Sequence, residues 1–300
     1  MARKLQPGWI PTPNLSLDIP APMTSSSTQE IRSGERFGFG DNWLQFVELV
    51  DQARVEQAEE SLARWLGPDG LRGRRFLDIG CGSGLFSLAA YRLGARVHSF
   101  DYDPSSVLAT GTLRSRCAEG ERWSLDEGSV LDVSYMESLG PFDIVYSWGV
   151  LHHTGSMWQA LSNACDAVAD GGQLYIALYN DMGRETRRWR RIKKTYCSLP
   201  GPLQAPFAAL AVAPSELKEL IKSVLRLRPQ DYVREWTRYS ERRGMSKWRD
   251  IVDWVGGYPY EAATTAEVIS FCEEQGLLPV DVRPTKGLGC NEFLFRRETG

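Results

Sequence analysis

Two short stretches gather the residue types that handle ligands. In the first, Asp78-x-Gly80-x-Gly82-x-Gly84 sets a carboxylate two residues ahead of three glycines at alternate positions. The apolar run Phe76 to Ile79 reads as a buried strand, and Leu85 to Ala90 reads as the start of a helix. Glycines at such a turn let the backbone approach a ligand closely, and the helix N-terminus offers unpaired N–H groups beside it. That describes a nucleotide-type cofactor loop. A dinucleotide loop needs G-x-G-x-x-G, but Leu85 stands where its last glycine is required. In the second stretch, strand-like Asp143 to Ser147 runs into Trp148-Gly149-Val150-Leu151-His152-His153, which holds two of the three histidines. Histidine can take a proton from an acceptor hydroxyl near neutral pH. Its plainer use is to line a wall or cap a helix. Between the two stretches lies Asp101, 23 residues after Asp78 at the end of a strand pattern. A carboxylate there can accept from both hydroxyls of a ribose; its plainer use is to cap the helix beginning at Pro104.

The elements that must position these residues alternate. Strands are expected at 75–79, 96–101, 123–127, 142–147 and 173–179, with helices over 84–93, from Pro104 to about Cys117, and over 156–169. Such alternation means a parallel sheet with helices on both faces, and ligands bind at the carboxyl ends of its strands. Residues 181–262 break the pattern with a block rich in Arg, Trp and Tyr that includes Pro200, Pro202, Pro206 and Pro214. A helix at 265–275 and strands at 278–282 and 291–296 then resume it, the last two as an antiparallel hairpin at the sheet edge. Ahead of the sheet, five prolines from Pro7 to Pro22 and the run Ser25 to Thr28 give 1–36 the composition of an extended or disordered tail. Order is expected from Phe37, with a helix starting near the capping residues Asp41 and Asn42 and reaching Gly67. The organisation is thus a tail at 1–36, a core at 37–180, an insertion at 181–262 and the end of the core at 263–300.

Composition narrows the class. A formal charge of −3 with 24% charged residues argues against general nucleic-acid affinity, and no apolar run approaches the ~20 residues of a membrane span. The basic start Met1 to Pro7 has no apolar segment after it, so a signal peptide is not expected. Six cysteines (81, 117, 165, 197, 272 and 290) form no C-x-x-C pair, which favours a reducing, cytoplasmic setting over disulfides or zinc.

The spacing of Asp78 to Gly84 resembles the first motif of class I S-adenosylmethionine-dependent methyltransferases, and the likeness to methyltransferases of types 11 and 12 extends over about residues 36–297. The resemblance implies a seven-stranded doubly wound, mostly parallel, Rossmann-like α/β sheet with an antiparallel last strand, an N-terminal cover helix and a helical lid insertion. It implies S-adenosylmethionine as the cofactor. Asp78 would face the methionine end, with Gly80, Cys81, Gly82 and Gly84 making room. Asp101 would hold the ribose, and Tyr102 would lie flat near the adenine. The segment Gly128 to Asp132 corresponds to a family Gly-Asp-Ala that meets the adenine; Ser129 replaces the acidic residue, leaving the backbone of Ser129 and Val130. Ser147, Trp148 and Gly149 would border the transferred methyl group, with His152 or His153 as the base. Ubiquinone-biosynthesis O-methyltransferases carry acidic metal ligands in this segment. Gly149 and His152 stand in their place, so no metal site carries over.

The insertion supplies the remaining candidates. Arg184 to Lys194 holds seven basic residues among eleven, which suits a solvated helix face, an anionic substrate, a carrier surface or nucleic acid. Aromatic residues among glycine, proline and charge from Arg243 to Glu261 suit a pocket lid. Trp43, Tyr179, Asn180, Tyr258, Tyr260 and Glu261 are the expected substrate contacts. The expected activity is methyl transfer to a small molecule, most readily at a hydroxyl oxygen. An RNA, protein or carrier-bound substrate using the basic block is the alternative, and a binding protein without catalysis a third reading.

Overall fold

The structure, a computed structural model, describes residues 26–67, 70–239 and 246–299. Most of the tail expected at 1–36 lies outside the described residues. Its last part corrects that expectation: Ser26–Ser33 is a helix, α1. Gln29, Glu30 and Arg32 favour helix, and Ile31 packs against Gly38, where an added Cβ would stand 3.4 Å from its side chain. The single cover helix expected from Asp41 to Gly67 is instead two, α2 (Gly40–Val47) and α3 (Gln52–Leu66). Asp51 makes the break. It sits in extended conformation and its carboxylate caps α3 by accepting from Arg54 N at 2.9 Å.

From Arg75 the chain alternates: β1 (Arg75–Ile79), α4 (Leu85–Arg92), β2 (Arg96–Asp101), α5 (Pro104–Cys117), β3 (Trp123–Glu127), α6 (Val133–Leu139), β4 (Phe142–Trp148), α7 (Met157–Asp166) and β5 (Val168–Tyr179), with α6 an element not expected and β5 starting five residues earlier than expected. Among the described residues there follow α8 (Arg184–Ser198), α9 (Gly201–Leu225), α10 (Pro229–Thr237) and α11 (Lys247–Gly256). The chain closes with α12 (Thr265–Glu274), β6 (Leu277–Arg283) and β7 (Cys290–Arg297). The strands form one sheet of seven in the order β3-β2-β1-β4-β5-β7-β6. β1 to β5 pair in parallel, and β7 runs antiparallel to both β5 and β6.

Successive residues of β1 feed opposite faces, as the pleat requires. Phe76 joins Ile144, Tyr146 and Tyr175 under α3 and α4, while Leu77 and Ile79 join Val145, Leu174 and Ile176 towards α7 and α12. Burial of each such side chain is worth roughly 1.5–3 kcal/mol, so the two-sided core fixes the register and brings Ile79, Asp101, Trp148 and Tyr179 to one edge of the sheet. The helices after β5 have a smaller core of their own, built from Tyr196, Cys197, Ala208, Val212, Ile251 and Val255. Among the described residues no helix is long and apolar enough to cross a membrane.

Candidate active site

Gly80, Gly82 and Gly84 have φ of 74°, 55° and 77°, a region that costs other residues conformational energy. Space forbids a side chain as well. A Cβ on Gly80 would stand 2.3 Å from Val150, and one on Gly82 would stand 3.1 Å from the Trp43 ring. The loop is strung from β2, since Gly80 N and Cys81 N both donate to Phe100 O at 2.9 and 3.1 Å. Two side chains anchor it, Thr110, whose Oγ1 donates to Gly82 O at 3.1 Å, and Asp101. That carboxylate accepts from Gly82 N and from Asp103 N, each at 2.9 Å. An ionised carboxylate has about four acceptor positions, and the Tyr102 amide also acts on this one. Burial raises Asp101 to about 6, against the pull of those amides.

Asp78 is turned inwards. It is 2% exposed and accepts from Ser87 Oγ of α4, which in turn meets Ser99 Oγ at 2.6 Å. Burial lifts its carboxyl to about 7, with Ser87 opposing and Asp101 adding to the rise. The group ties α4 to β1. Next to Asp101, Gly128 N donates to Asp101 O at 3.0 Å, which brings Ser129 and Val130 alongside. Asn163 Nδ2 pins this segment through Val130 O at 2.7 Å.

The segment just before α2 was not legible as a site and joins its parts. Arg36 pairs with Glu30 at 2.7 Å, lies 5.0 Å over the Tyr102 ring and donates to His153 O at 2.7 Å. Tyr102 Oη donates to Glu30 at 3.0 Å. Gly40 N donates to Asp103 Oδ2 at 2.9 Å, Asn42 donates to Asp253 of α11, and Trp43 covers Gly82. Trp43, expected against the substrate, therefore stands over the glycine loop.

At the end of β4, Ser147 Oγ donates to Ile79 O at 3.1 Å and Trp148 Nε1 donates to Glu292 at 2.8 Å. Gly149 turns the chain with φ 76° and no neighbour where a side chain would stand. A short 3-10 turn, Leu151–His153, then places both histidines. His152 is buried, and its Nδ1 accepts from Tyr179 N at 3.2 Å. The ring proton therefore lies on Nε2, which has no hydrogen-bond partner. His153 Nδ1 donates to Pro259 O at 2.6 Å. Burial holds His152 well below the usual histidine value and His153 at about 3, with the Lys193 charge acting the same way on each.

Rings gather around these histidines. Tyr179 lies 3.9 Å from His152, 5.1 Å from Tyr260 and 5.8 Å from Trp254, centroid to centroid. Into this group reaches Lys193 of α8, which is 0% exposed. Its Nζ stands 4.2 Å from the Trp254 ring and 4.9 Å from the Tyr260 ring, and donates to Trp254 O. A buried ammonium loses several kcal/mol of hydration, while a desolvated ring face returns about 2 kcal/mol. The cost therefore dominates, and burial lowers Lys193 to about 7 against the raising effect of Cys197 and Asp253. Sequence reading missed this residue inside the basic block. The other six basic side chains there, Arg184, Arg187, Arg188, Arg190, Arg191 and Lys194, are exposed. The signal was Thr186-x-x-Trp189-x-x-x-Lys193-x-x-Tyr196-Cys197, whose spacing puts Lys193 on the inward face of α8.

Two expected substrate contacts are used otherwise. Asn180 fastens the β6–β7 turn, donating to Gly287 O at 3.1 Å and accepting from Asn291 at 3.2 Å. Glu261 accepts from Met157 N at 3.0 Å and so holds the N-terminus of α7. Tyr258 lends its carbonyl to Phe37 N at 2.8 Å and its side chain to the core of the insertion helices. Of the lid segment expected from Arg243 to Glu261, residues 243–245 lie outside the described residues.

A family model described as a methyltransferase domain matches residues 50–205. A ubiquinone biosynthesis O-methyltransferase of Methylobacterium sp. (strain 4-46) is 33% identical over 115 residues, 38% of this chain and 45% of that relative. The like-named protein of Azorhizobium caulinodans is 24% identical over 234 residues, 68% of this chain and 89% of the relative. The chain thus spans about half the length of several curated relatives it matches. An O-methyltransferase family protein from Burkholderia thailandensis shares the fold, with a TM-score of 0.52 and 16% identity over 92% of this chain and 64% of that one. With more than half its length inside the matching model, the chain belongs to the methyltransferase-domain family.

Proposed function

We propose that the protein methylates a hydroxyl oxygen of a small, planar, ring-bearing molecule. The observation that carries this reading is the group of rings from Tyr179, Trp254 and Tyr260 around His152 and Lys193, just past the ends of β4 and β5. Aromatic walls favour a flat partner through stacked and edge contacts. The names of the relatives, ubiquinone biosynthesis O-methyltransferases, support oxygen as the receiving atom.

The residues present fit the methyl donor. The Asp101 carboxylate would accept from ribose hydroxyls, beside a loop whose positive-φ glycines allow close approach. Tyr102 and the Ser129-Val130 backbone would flank the adenine, and Gly80 to Gly84 with Ser147 to Gly149 would carry the amino-acid end. When bound, S-adenosylmethionine supplies a methyl group on a positively charged sulfur. The chain's part is to hold an acceptor oxygen in line at about 3–3.5 Å and to exclude water, for which Trp43 and the stretch from Arg36 are placed.

The test is incubation with isotope-labelled S-adenosylmethionine and a panel of phenols, catechols, amines and short peptides, with products read by mass spectrometry. Label on a phenolic oxygen is the expected result. Label on amines or peptides alone, with every hydroxyl compound untouched, overturns the reading.

A further inference from the structure

The obvious proton acceptors of this site are already spent. His152 offers only a donor, because its Nδ1 lone pair faces the Tyr179 amide. His153 gives its Nδ1 proton to Pro259 O, and at about 3 its ring is too weak a base to hold a hydroxyl proton near neutrality. The Glu261 carboxylate is on the Met157 amide. Burial pushes the Tyr179 phenol far up, so it stays protonated.

Lys193 is different. Its side chain is fully buried, it faces two ring planes and a single carbonyl, and among the described residues no carboxylate pairs with it. Among the described residues the same ring group holds two polar atoms without a partner, the Nε2–H of His152 and the hydroxyl of Tyr260. Buried polar groups without partners are rare and mark places where a ligand completes the bonding. An amine and an imidazole N–H set among aromatic rings are complementary to an oxygen attached to a flat ring.

We infer that Lys193 is the base of the acceptor site, its neutral amine taking the proton of the acceptor hydroxyl while His152 Nε2–H donates to the same oxygen. This rests on the hydroxyl reading above. In the step, the O–H bond breaks and its electron pair stays on oxygen; the proton bonds to the Nζ lone pair and makes an ammonium. That oxygen then bonds the methyl carbon, whose former bonding pair remains on the donor sulfur. The ammonium loses its proton to water when the site opens. Burial sets Lys193 at about 7, so close to half the amine is neutral at neutral pH. The titratable groups facing it are His152 and His153 after β4, Tyr179 of β5, Cys197 of α8, Asp253 of α11 and Tyr260. Of these, Asp253 and Cys197 favour its charged form, and burial disfavours it more.

The test uses 4-nitrophenol, whose phenolate and phenol absorb at different wavelengths, bound to the full chain with S-adenosylhomocysteine. The bound probe should ionise about one pH unit or more below the free probe, as an anion beside a cation does. Lys193→Met should abolish the shift and melt no lower than wild type, because it exchanges a buried charge for an apolar chain of similar length. Lys193→Arg should keep the shift, since it keeps the charge. It should also release to buffer the phenol proton that wild type retains, read by calorimetry in two buffers of different ionisation enthalpy. A bound probe that ionises as in solution, a Lys193→Met that shifts like wild type, equal proton release by wild type and Lys193→Arg, or no binding at millimolar probe would each overturn the inference. S-adenosylhomocysteine alone separates the two failures. If it binds and the probe stays unshifted, only the role of Lys193 falls; if it does not bind, the methyltransferase reading falls with it.

Discussion

In the glycine-loop half of the site the buried carboxylates have donors from their own chain: Ser87 for Asp78, and the amides of Gly82 and Asp103 for Asp101. In the aromatic half, Lys193 has one carbonyl and His152 Nε2 has nothing. The first half is shaped before any ligand arrives, by contacts close in sequence around the strand ends. The second is assembled from segments near 36, 152, 179, 193 and 254, and leaves polar atoms for a ligand to complete. A site with one finished half and one open half binds a constant partner in the former and accommodates variation in the latter.

The harshest way to break the finished half is at Gly80. Gly80→Ala places a Cβ 2.3 Å from Val150 at a φ of 74°, and should lower stability by about 2–4 kcal/mol. Chemical denaturation would show it, and Val150→Ala in the same chain should restore only part, since the backbone strain remains. Next comes Asp101→Ala. Losing charge-type hydrogen bonds to the ribose should weaken S-adenosylmethionine by on the order of 1.5–3 kcal/mol while the fold persists, read by calorimetry. Unchanged affinity would reduce Asp101 to an anchor of the loop.

The open half is sharpened by pH. His153 falls to about 3 on folding from an unfolded value near 6.5, so the unfolded state binds the extra proton between them. Stability should be lost as pH falls through that window, by up to about 1.4 kcal/mol per pH unit. His153→Asn, which keeps a donor for Pro259 O, should flatten that slope. Lys193 drops from 10.5 to about 7, and again the unfolded state binds more protons in between. Stability should therefore rise with pH from about 7 to 10.5 relative to Lys193→Met, at a similar slope. The smallest effect belongs to the exposed face of α8. Arg188→Gln and Arg191→Gln should change stability and donor binding by no more than about 0.5 kcal/mol, and a large loss of binding would revive the reading of that face as a ligand surface.

Much of the first half was legible because its logic is local. A short apolar run marks β1, and the glycine spacing marks the loop between strand and helix. Even there, Asp78 shows the limit: a motif names a residue, but only packing shows that its carboxyl meets Ser87. The split between α2 and α3 was carried by Asp51, a capping residue inside an otherwise continuous helical pattern. The second half was hidden because burial of one basic residue among seven depends on which side of α8 meets Trp254 and Tyr260. Asn180 and Glu261 were polar residues in the right neighbourhood whose bonds went to a turn and a helix end. Arg36 sat at the boundary of a stretch whose composition suggested no structure at all.

Arg36 has a consequence for the order of events in turnover. One guanidinium touches both Tyr102, beside the expected adenine position, and the carbonyl of His153, beside the aromatic group. Displacing that stretch breaks both contacts at once. On the proposed function, exchange of spent donor and release of methylated product would be linked steps, and a burst of product followed by slow steady turnover is the expected kinetic pattern.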